Sequence, residues 1–444
     1  MAWSVKKRSN LTSFQIIILG FSGVILLGAL VLMLPVSSAA GTVTPFQDTL
    51  FTATSAVCVT GLVVHDTATY WSTFGQAVIL VLIQIGGMGV ITVAASIAII
   101  SGKKISLMQR STMQEAIAAP QVGGIVRLTG FIVRTTLTIE LLGAVVMAPV
   151  LCRDFGLRGI WMALFHSVSA FCNAGFDLMG TTAPYSSLMA YAAEPVINCV
   201  IMALIVVGGI GFLTWDDIRA NGWHVHRYKM QSKVILTTTA ILLVVPAVYF
   251  FVFEFQDLPM KERILASLFQ SVTPRTAGFN TVDLTAISEP GQYVTIMLML
   301  IGGSPGSTAG GMKTTTLAVL LATALATFRR KEDTHFYGRR IDGDVVKNAA
   351  TIFLMYISLF FFGGLLISLL EGLPMLTCLF EAASAVGTVG LTLGVTPSLG
   401  LTSRGILIAL MFLGRVGGLT LIFAALSEVQ KNLSKLPREK ITVG

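Results

Sequence analysis

An all-α integral membrane protein is predicted, with four helix–pore loop–helix repeats in a pseudo-fourfold arrangement around a central axis. Three observations carry that expectation. Apolar residues make up 54% of the 444 residues and charged residues 12%, and the mean hydropathy is +0.81, well outside the range of a soluble domain. Apolar runs of about twenty residues, long enough to cross a bilayer as helices, recur along the chain. Between them, four short segments repeat one pattern: Phe51–Leu62 (FTATSAVCVTGL), Phe165–Phe176 (FHSVSAFCNAGF), Phe269–Phe279 (FQSVTPRTAGF) and Phe380–Leu391 (FEAASAVGTVGL).

Each segment opens on Phe, carries Ser or Thr four residues later (Ser55, Ser169, Thr273, Ser384) and ends on a glycine followed by Leu or Phe. The glycines, Gly61, Gly175, Gly278 and Gly390, lie 114, 103 and 112 residues apart. Spacing this even marks internal duplication, with no separate domain between copies. One membrane domain over 1–444 therefore divides into repeats 12–102, 125–216, 231–328 and 346–430. The eight spans are Phe14–Leu34 and Phe74–Ile100, Leu128–Leu151 and Val196–Trp215, Val234–Phe253 and Tyr293–Phe328, then Asn348–Leu370 and Gly405–Leu426. The first lacks a small-residue cleavage site, so it reads as a retained span.

Charge sets the expected orientation. With the N-terminus inside, 21 of the 30 Lys/Arg fall on cytoplasmic pieces, while Arg153, Arg158, Lys261, Arg263, Arg275 and Arg404 face outward. By the positive-inside rule both termini are cytoplasmic, in a multi-pass protein of the cell (plasma) membrane. The net charge of +8 reads as a topology signal and a surface for anionic lipid or an acidic partner. Basic residues scattered over five pieces argue against nucleic acid. The five cysteines show no metal-ligand spacing, and a disulfide among Cys152, Cys172 and Cys378 stays open.

The half-spans before the glycines, such as Pro45–Val57 and Leu373–Val386, are too short to cross and should dip in and return. A helix dipping inward points its partly negative C-terminus at the bilayer centre, which favours a cation there. The three residues ending at each glycine then run back out: Val59, Thr60 and Gly61; Asn173, Ala174 and Gly175; Thr276, Ala277 and Gly278; Thr388, Val389 and Gly390. Their carbonyls can replace a cation's hydration shell, and glycine supplies backbone angles that a Cβ forbids. No Asp or Glu ring occurs among the triplets, so the pattern suits weakly hydrated monovalent cations rather than divalent ones.

A second landmark lies within the later span of each repeat: Gly86-Gly87-Met88-Gly89 with Thr92, Gly208-Gly209-Ile210-Gly211 with Thr214, Gly302-Gly303-Ser304-Pro305-Gly306 with Thr308, and Gly414-Arg415-Val416-Gly417-Gly418 with Thr420. In the first two copies, close helix packing is the plainer reading. In the third, Pro305 and the glycines Gly302, Gly303, Gly306, Gly310 and Gly311 should unwind the span. Irregular backbone at that depth must face protein or a watery cavity, so Gly302–Thr316 is expected to line the pore. Arg415 falls mid-span, where a charge costs on the order of 3 kcal/mol; it reads as a cationic barrier below the triplets, or as the partner of a buried acid such as Glu140. Lys313 marks the inner end of the broken span and could snorkel to the interface.

These residues resemble the Trk/Ktr/HKT superfamily of potassium transporters, closest to the Ktr-type membrane subunit. The carriers are Thr54–Leu62 (TSAVCVTGL), Asn173–Phe176 (NAGF), Thr273–Phe279 (TPRTAGF), Gly302–Thr314 (GGSPGSTAGGMKT) and Gly414–Thr420 (GRVGGLT). The resemblance implies potassium as transported ion, the four glycines as filter glycines, Gly302–Thr316 as intramembrane gate and Arg415 as pore arginine. It also implies a homodimer docked on a cytoplasmic ring of nucleotide-binding RCK subunits. In the plant branch a serine in place of the first glycine goes with sodium preference, so Gly61 points to potassium. Sodium stimulation is common in the Ktr branch, and no residue here encodes it legibly. No organic cofactor and no enzyme activity are expected. Gly306–Thr314 superficially suggests a phosphate loop, but Met312 separates glycine from Lys313 and the piece interrupts an apolar span. A secondary transporter of another monovalent cation or small solute is the alternative, although four repeats running in one sense argue against inverted halves.

Overall fold

The computed structural model describes residues 12–101, 105–117, 121 and 123–417. The first repeat comprises α1 (Ser13–Leu32), α2 (Phe46–Cys58), a single turn α3 (Thr67–Tyr70), α4 (Thr73–Met88) and α5 (Val90–Ile100). A connecting helix α6 (Leu107–Ile117) leads to the second repeat: α7 (Ile125–Phe155), α8 (Arg158–Phe171), α9 (Pro195–Gly209) and α10 (Phe212–Asn221). The third contains α11 (Met230–Tyr249), α12 (Met260–Val272), α13 (Glu289–Leu300) and α14 (Thr314–Phe328). A two-residue hairpin, β1 (His335–Phe336) on β2 (Arg339–Arg340), precedes the fourth: α15 (Gly343–Glu371), α16 (Met375–Gly387) and α17 (Leu401–Val416). Gly418, Thr420 and the tail lie outside the described residues, as do both termini.

The four short helices α2, α8, α12 and α16 have 13 or 14 residues. At 1.5 Å per residue they reach about 20 Å, short of the ~30 Å hydrocarbon thickness. Proline immediately precedes three of them, at Pro45, Pro259 and Pro374, where its fixed φ starts a helix without losing a bond. The Phe that opens each repeat segment anchors its short helix in the core, since Phe51, Phe165, Phe269 and Phe380 are all buried. The longer first helices, α1, α7, α11 and α15, present exposed apolar faces, such as Leu27 and Leu30, Leu141 and Val145, Val244 and Val248, Phe362 and Leu366. Such faces suit lipid, and the core lies inward on the short helices.

Two expected straight spans are corrected. Phe74–Ile100 and Val196–Trp215 each break, turning by 95° between α4 and α5 and between α9 and α10. The break falls on Gly89 (φ 85°) and Gly211 (φ 93°), angles that an L side chain adopts only with strain. Close packing also holds at these landmarks. A methyl on Gly86, Gly208 or Gly414 would lie 2.1 Å from the carbonyl of Val57, Phe171 or Val386 respectively, so each later span touches a short helix backbone to backbone. The third landmark unwinds as expected: α13 ends at Leu300 and α14 begins at Thr314, so Thr314–Thr316 is helical and the irregular piece is 301–313. All five cysteines are free.

Candidate ion pathway

Left-handed backbone recurs at the first and third residues of all four triplets: Val59 and Gly61, Asn173 and Gly175, Thr276 and Gly278, Thr388 and Gly390. Among the described residues eight non-glycines have positive φ, and half of them are these first positions. Val59, Thr276 and Thr388 are β-branched, for which the left-handed region costs about 1–2 kcal/mol. Strain gathered at one place in four copies makes the triplets the candidate functional site.

The triplets close into a ring. A methyl on Gly61 would lie 2.5 Å from the Ala174 oxygen, and one on Gly175 would lie 2.7 Å from the Ala277 oxygen. One on Gly278 would lie 2.3 Å from the Val389 oxygen, and one on Gly390 2.3 Å from the Thr60 oxygen. Each glycine thus faces the carbonyl of the next triplet, and the fourth returns to the first. A side chain at any of the four would push a carbonyl out of the ring.

The repeated Ser/Thr staples each triplet to its own helix. Gly61 N–H donates to Ser55 Oγ at 3.1 Å and Gly390 N–H to Ser384 Oγ at 3.0 Å. In the other two repeats the hydroxyl donates instead, Ser169 to the Phe176 carbonyl at 2.7 Å and Thr273 to the Phe279 carbonyl at 2.5 Å. A second brace, at the residue after the opening Phe, was not read from sequence and forms in the second and fourth repeats. Leu178 N–H donates to His166 Nε2 at 3.2 Å, and Leu393 N–H donates to Glu381 Oε1 at 3.1 Å. Both span twelve residues, tying helix to returning strand. The position is polar in every repeat, at Thr52, His166, Gln270 and Glu381, but Thr52 donates to the Asp48 carbonyl and Gln270 to the Thr295 hydroxyl instead.

Beneath the ring the irregular segment of the third repeat satisfies its own backbone. Gly302 N–H donates to the Met312 carbonyl at 2.7 Å, Thr314 N–H to Gly303 at 3.0 Å, and Ser304 N–H to Gly209 at 2.9 Å. A methyl on Gly310 would meet the Thr388 side chain, and one on Gly311 the Gly387 carbonyl, which places the loop directly under the fourth triplet. Below it opens a cavity of about 300 Å³ whose lining includes Phe21, Glu115, Pro305, Lys313, Tyr356 and Arg415. Ile117, at the end of α6, lies against Gly306 on the loop's far side.

Arg415 reaches across the bundle to the carbonyls of Thr308, Gly86 and, at 3.3 Å, Gly87. Glu140 is not its partner: that carboxyl takes the Gln84 amide at 3.2 Å and the Cys172 thiol at 3.7 Å. Lys313 does not snorkel, because its Nζ turns back onto the Ala309 carbonyl at 2.8 Å. Arg275, counted among outward cations, is buried behind the third triplet, with Nε unpartnered beside a small void shared with Thr239. On the ring's other side, Arg404 of α17 bonds Asp48 of α2 at 2.9 Å, joining the last repeat to the first. Asp177 follows the second glycine closely, and burial together with the Asp66 charge pushes its carboxyl up to about 7.

Four re-entrant segments ringed by carbonyls, between apolar spans, define a membrane protein of the ion-conducting class. The family model for TrkH, a cation transport protein, matches residues 2–435, and the chain belongs to that family. It is 40% identical to the potassium/sodium uptake protein NtpJ of Enterococcus hirae over 98% of both chains. It is 38% identical to the Ktr system potassium uptake protein B of Bacillus subtilis, over 97% of this chain and 96% of that one. The crystal structure of the potassium transporter TrkH from Vibrio parahaemolyticus superposes with TM-score 0.72 at 20% identity, covering 94% of this chain and 86% of that chain. That last likeness bears on the fold.

Proposed function

We propose that this chain takes up potassium across the cell membrane through a filter made of the four triplets. The observation that carries the reading is the closed ring of glycines and neighbouring carbonyls: neutral oxygens at fixed spacing can exchange for the water shell of a weakly hydrated cation. The loop at 301–313 acts as the gate, and Arg415 adds a fixed positive charge below it. Support comes from the loop's position under the ring and from the shared cavity.

The Ktr relative is named as protein B of a system, in keeping with a further component; by the family resemblance that component is a cytoplasmic RCK-type regulatory ring on a homodimer of this chain, and the excess of Lys/Arg on alternate connections puts both termini on the cytoplasmic side. Sodium, as coupling or second ion, is the further reading, favoured by the name of the Enterococcus hirae protein. The test is potassium uptake by the purified chain in proteoliposomes with sodium or rubidium as competitor. Potassium uptake that rubidium inhibits and sodium barely affects is expected; absence of cation uptake, or equal competition by sodium, overturns the reading.

A further inference from the structure

Thr308 stands where the broken span meets the foot of the second triplet, fully buried. Its Oγ1 lies 3.1 Å from the carbonyl of Phe171, the last residue of α8, and 3.3 Å from Oδ1 of Asn173. Its N–H donates to the Gly208 carbonyl at 3.3 Å, and its own carbonyl accepts from Arg415. The other end of the Asn173 amide is already engaged, with Nδ2 reaching the Arg275 carbonyl at 3.3 Å and Thr276 Oγ1 at 3.4 Å in the third triplet. Asn173 Oδ1 is thus the end that faces the loop. A methyl on Gly208 would lie 2.9 Å from both Asn173 Oδ1 and Thr308 Oγ1, so glycine is what lets the three groups meet.

We propose that Thr308 is a positioning residue that couples gate to filter. Its single hydroxyl proton, shared between the Phe171 carbonyl and Asn173 Oδ1, steadies the left-handed turn at Asn173 (φ 59°) that opens the second triplet, and through the Asn173 amide it steadies the third. Moving the loop withdraws that hydroxyl and, in the same displacement, removes an acceptor from Arg415. Gate position and ion preference then share one equilibrium, and a change in either biases the other by the same factor. This inference rests on the filter-and-gate reading above.

The test measures uptake rate and the potassium-over-sodium competition ratio in proteoliposomes for Thr308→Val, which keeps the shape and loses the hydroxyl, and Thr308→Ser, which keeps the hydroxyl. For Thr308→Val the ratio should fall about three- to tenfold, the scale of one buried hydrogen bond, while the rate rises. Thr308→Ser should retain the parent ratio within about twofold. A faster Thr308→Val with the parent ratio overturns the coupling, because Thr308 would then only pack the loop. An equal fall in both variants also overturns it, since the methyl would be responsible. Should Thr308→Val fail to assemble, Thr308→Ala is read against the same two outcomes. Gly61→Ser and a loop deletion run alongside: if neither alters ratio or rate, the filter reading itself fails and this inference with it. If they act and Thr308→Val does not shift the ratio, only the coupling fails.

Discussion

Gly61→Ser tests the ring by a displacement that can be sized beforehand. The serine Cβ would sit 2.5 Å from the Ala174 oxygen, where ordinary contact begins at 3.4 Å; the carbonyl must therefore give way by about 0.9 Å. That oxygen is on the backbone, so it cannot swing aside as a flexible side chain would. If a displaced carbonyl forfeits what a hydrogen bond to a charged group contributes, about 1.5–3 kcal/mol, potassium preference over sodium falls roughly tenfold or more. The substitution also strains the backbone, since Gly61 has φ 94°, a cost of about 1–3 kcal/mol. Gly41→Ser separates the two effects, because Gly41 has φ 67° and nothing within 4 Å of its added methyl. Competition uptake should show lost selectivity in Gly61→Ser and the parent ratio in Gly41→Ser. Crowding further ranks the ring: Gly278 and Gly390, at 2.3 Å, should suffer more than Gly175, at 2.7 Å. An unchanged ratio in a folded Gly61→Ser protein, or the reverse ranking, would refute the argument.

Arg415→Gln removes the fixed charge and keeps a shorter neutral amide that no longer spans the three carbonyls; uptake should rise by about tenfold, a barrier change near 1.4 kcal/mol, with the protein still folded, whereas a collapsed melting temperature at parental rate would mean the arginine is a structural strut. Deleting Gly306–Gly311 should raise flux beyond that of the parent, and slower transport by a correctly folded deletion would reject the gating role. For Asp177 the sign follows from its raised carboxyl, at about 7 against ~3.9 in a free chain. The folded protein keeps a proton that the unfolded chain releases, so stability falls as pH rises from about 4 to about 7. Asp177→Asn cannot ionise, and its melting temperature should match the parent at pH 4 and exceed it at pH 8; coincident values at both would refute the raised carboxyl.

The four triplets, the short helices and the unwound third landmark were legible in sequence because each depends on a local requirement: a backbone angle, a length, or a missing N–H at Pro305. What escaped depends on partners distant in the chain. Glycine at Gly89 and Gly211 signals close packing and a 95° bend with the same letter, and only neighbouring elements decide whether both occur. Arg415 reads as a cationic barrier or as the partner of a buried acid, and what neither reading supplies is its actual partners, backbone carbonyls of the first and third repeats, which carry no sequence signature. Arg275 counted as an outward cation by position alone, and its burial follows from how α12 seats against α9 and α11. The repeated Ser/Thr was visible as a pattern, but its two modes, accepting from glycine N–H or donating to the carbonyl beyond it, appear only once the returning strands are placed.

The departures from fourfold symmetry converge in space. Among the described residues the third repeat alone unwinds over thirteen residues, 301–313, and the fourth alone carries an arginine in its landmark. Neither departure is confined to its own repeat: the N–H groups of Ser304 and Thr308 turn to Gly209 and Gly208 of the second repeat, and the guanidinium turns to Thr308 and to Gly86 and Gly87 of the first. On the proposed filter reading, a symmetric bundle would leave the landmark carbonyls beneath the ring open to any cation that had passed it. Here a tethered guanidinium holds several of them and an adjacent loop fills the space beside it. Duplication accounts for the ring, where four equal contributions are useful; control of passage calls for unequal ones, and the two unequal repeats meet at Thr308, directly below the second triplet.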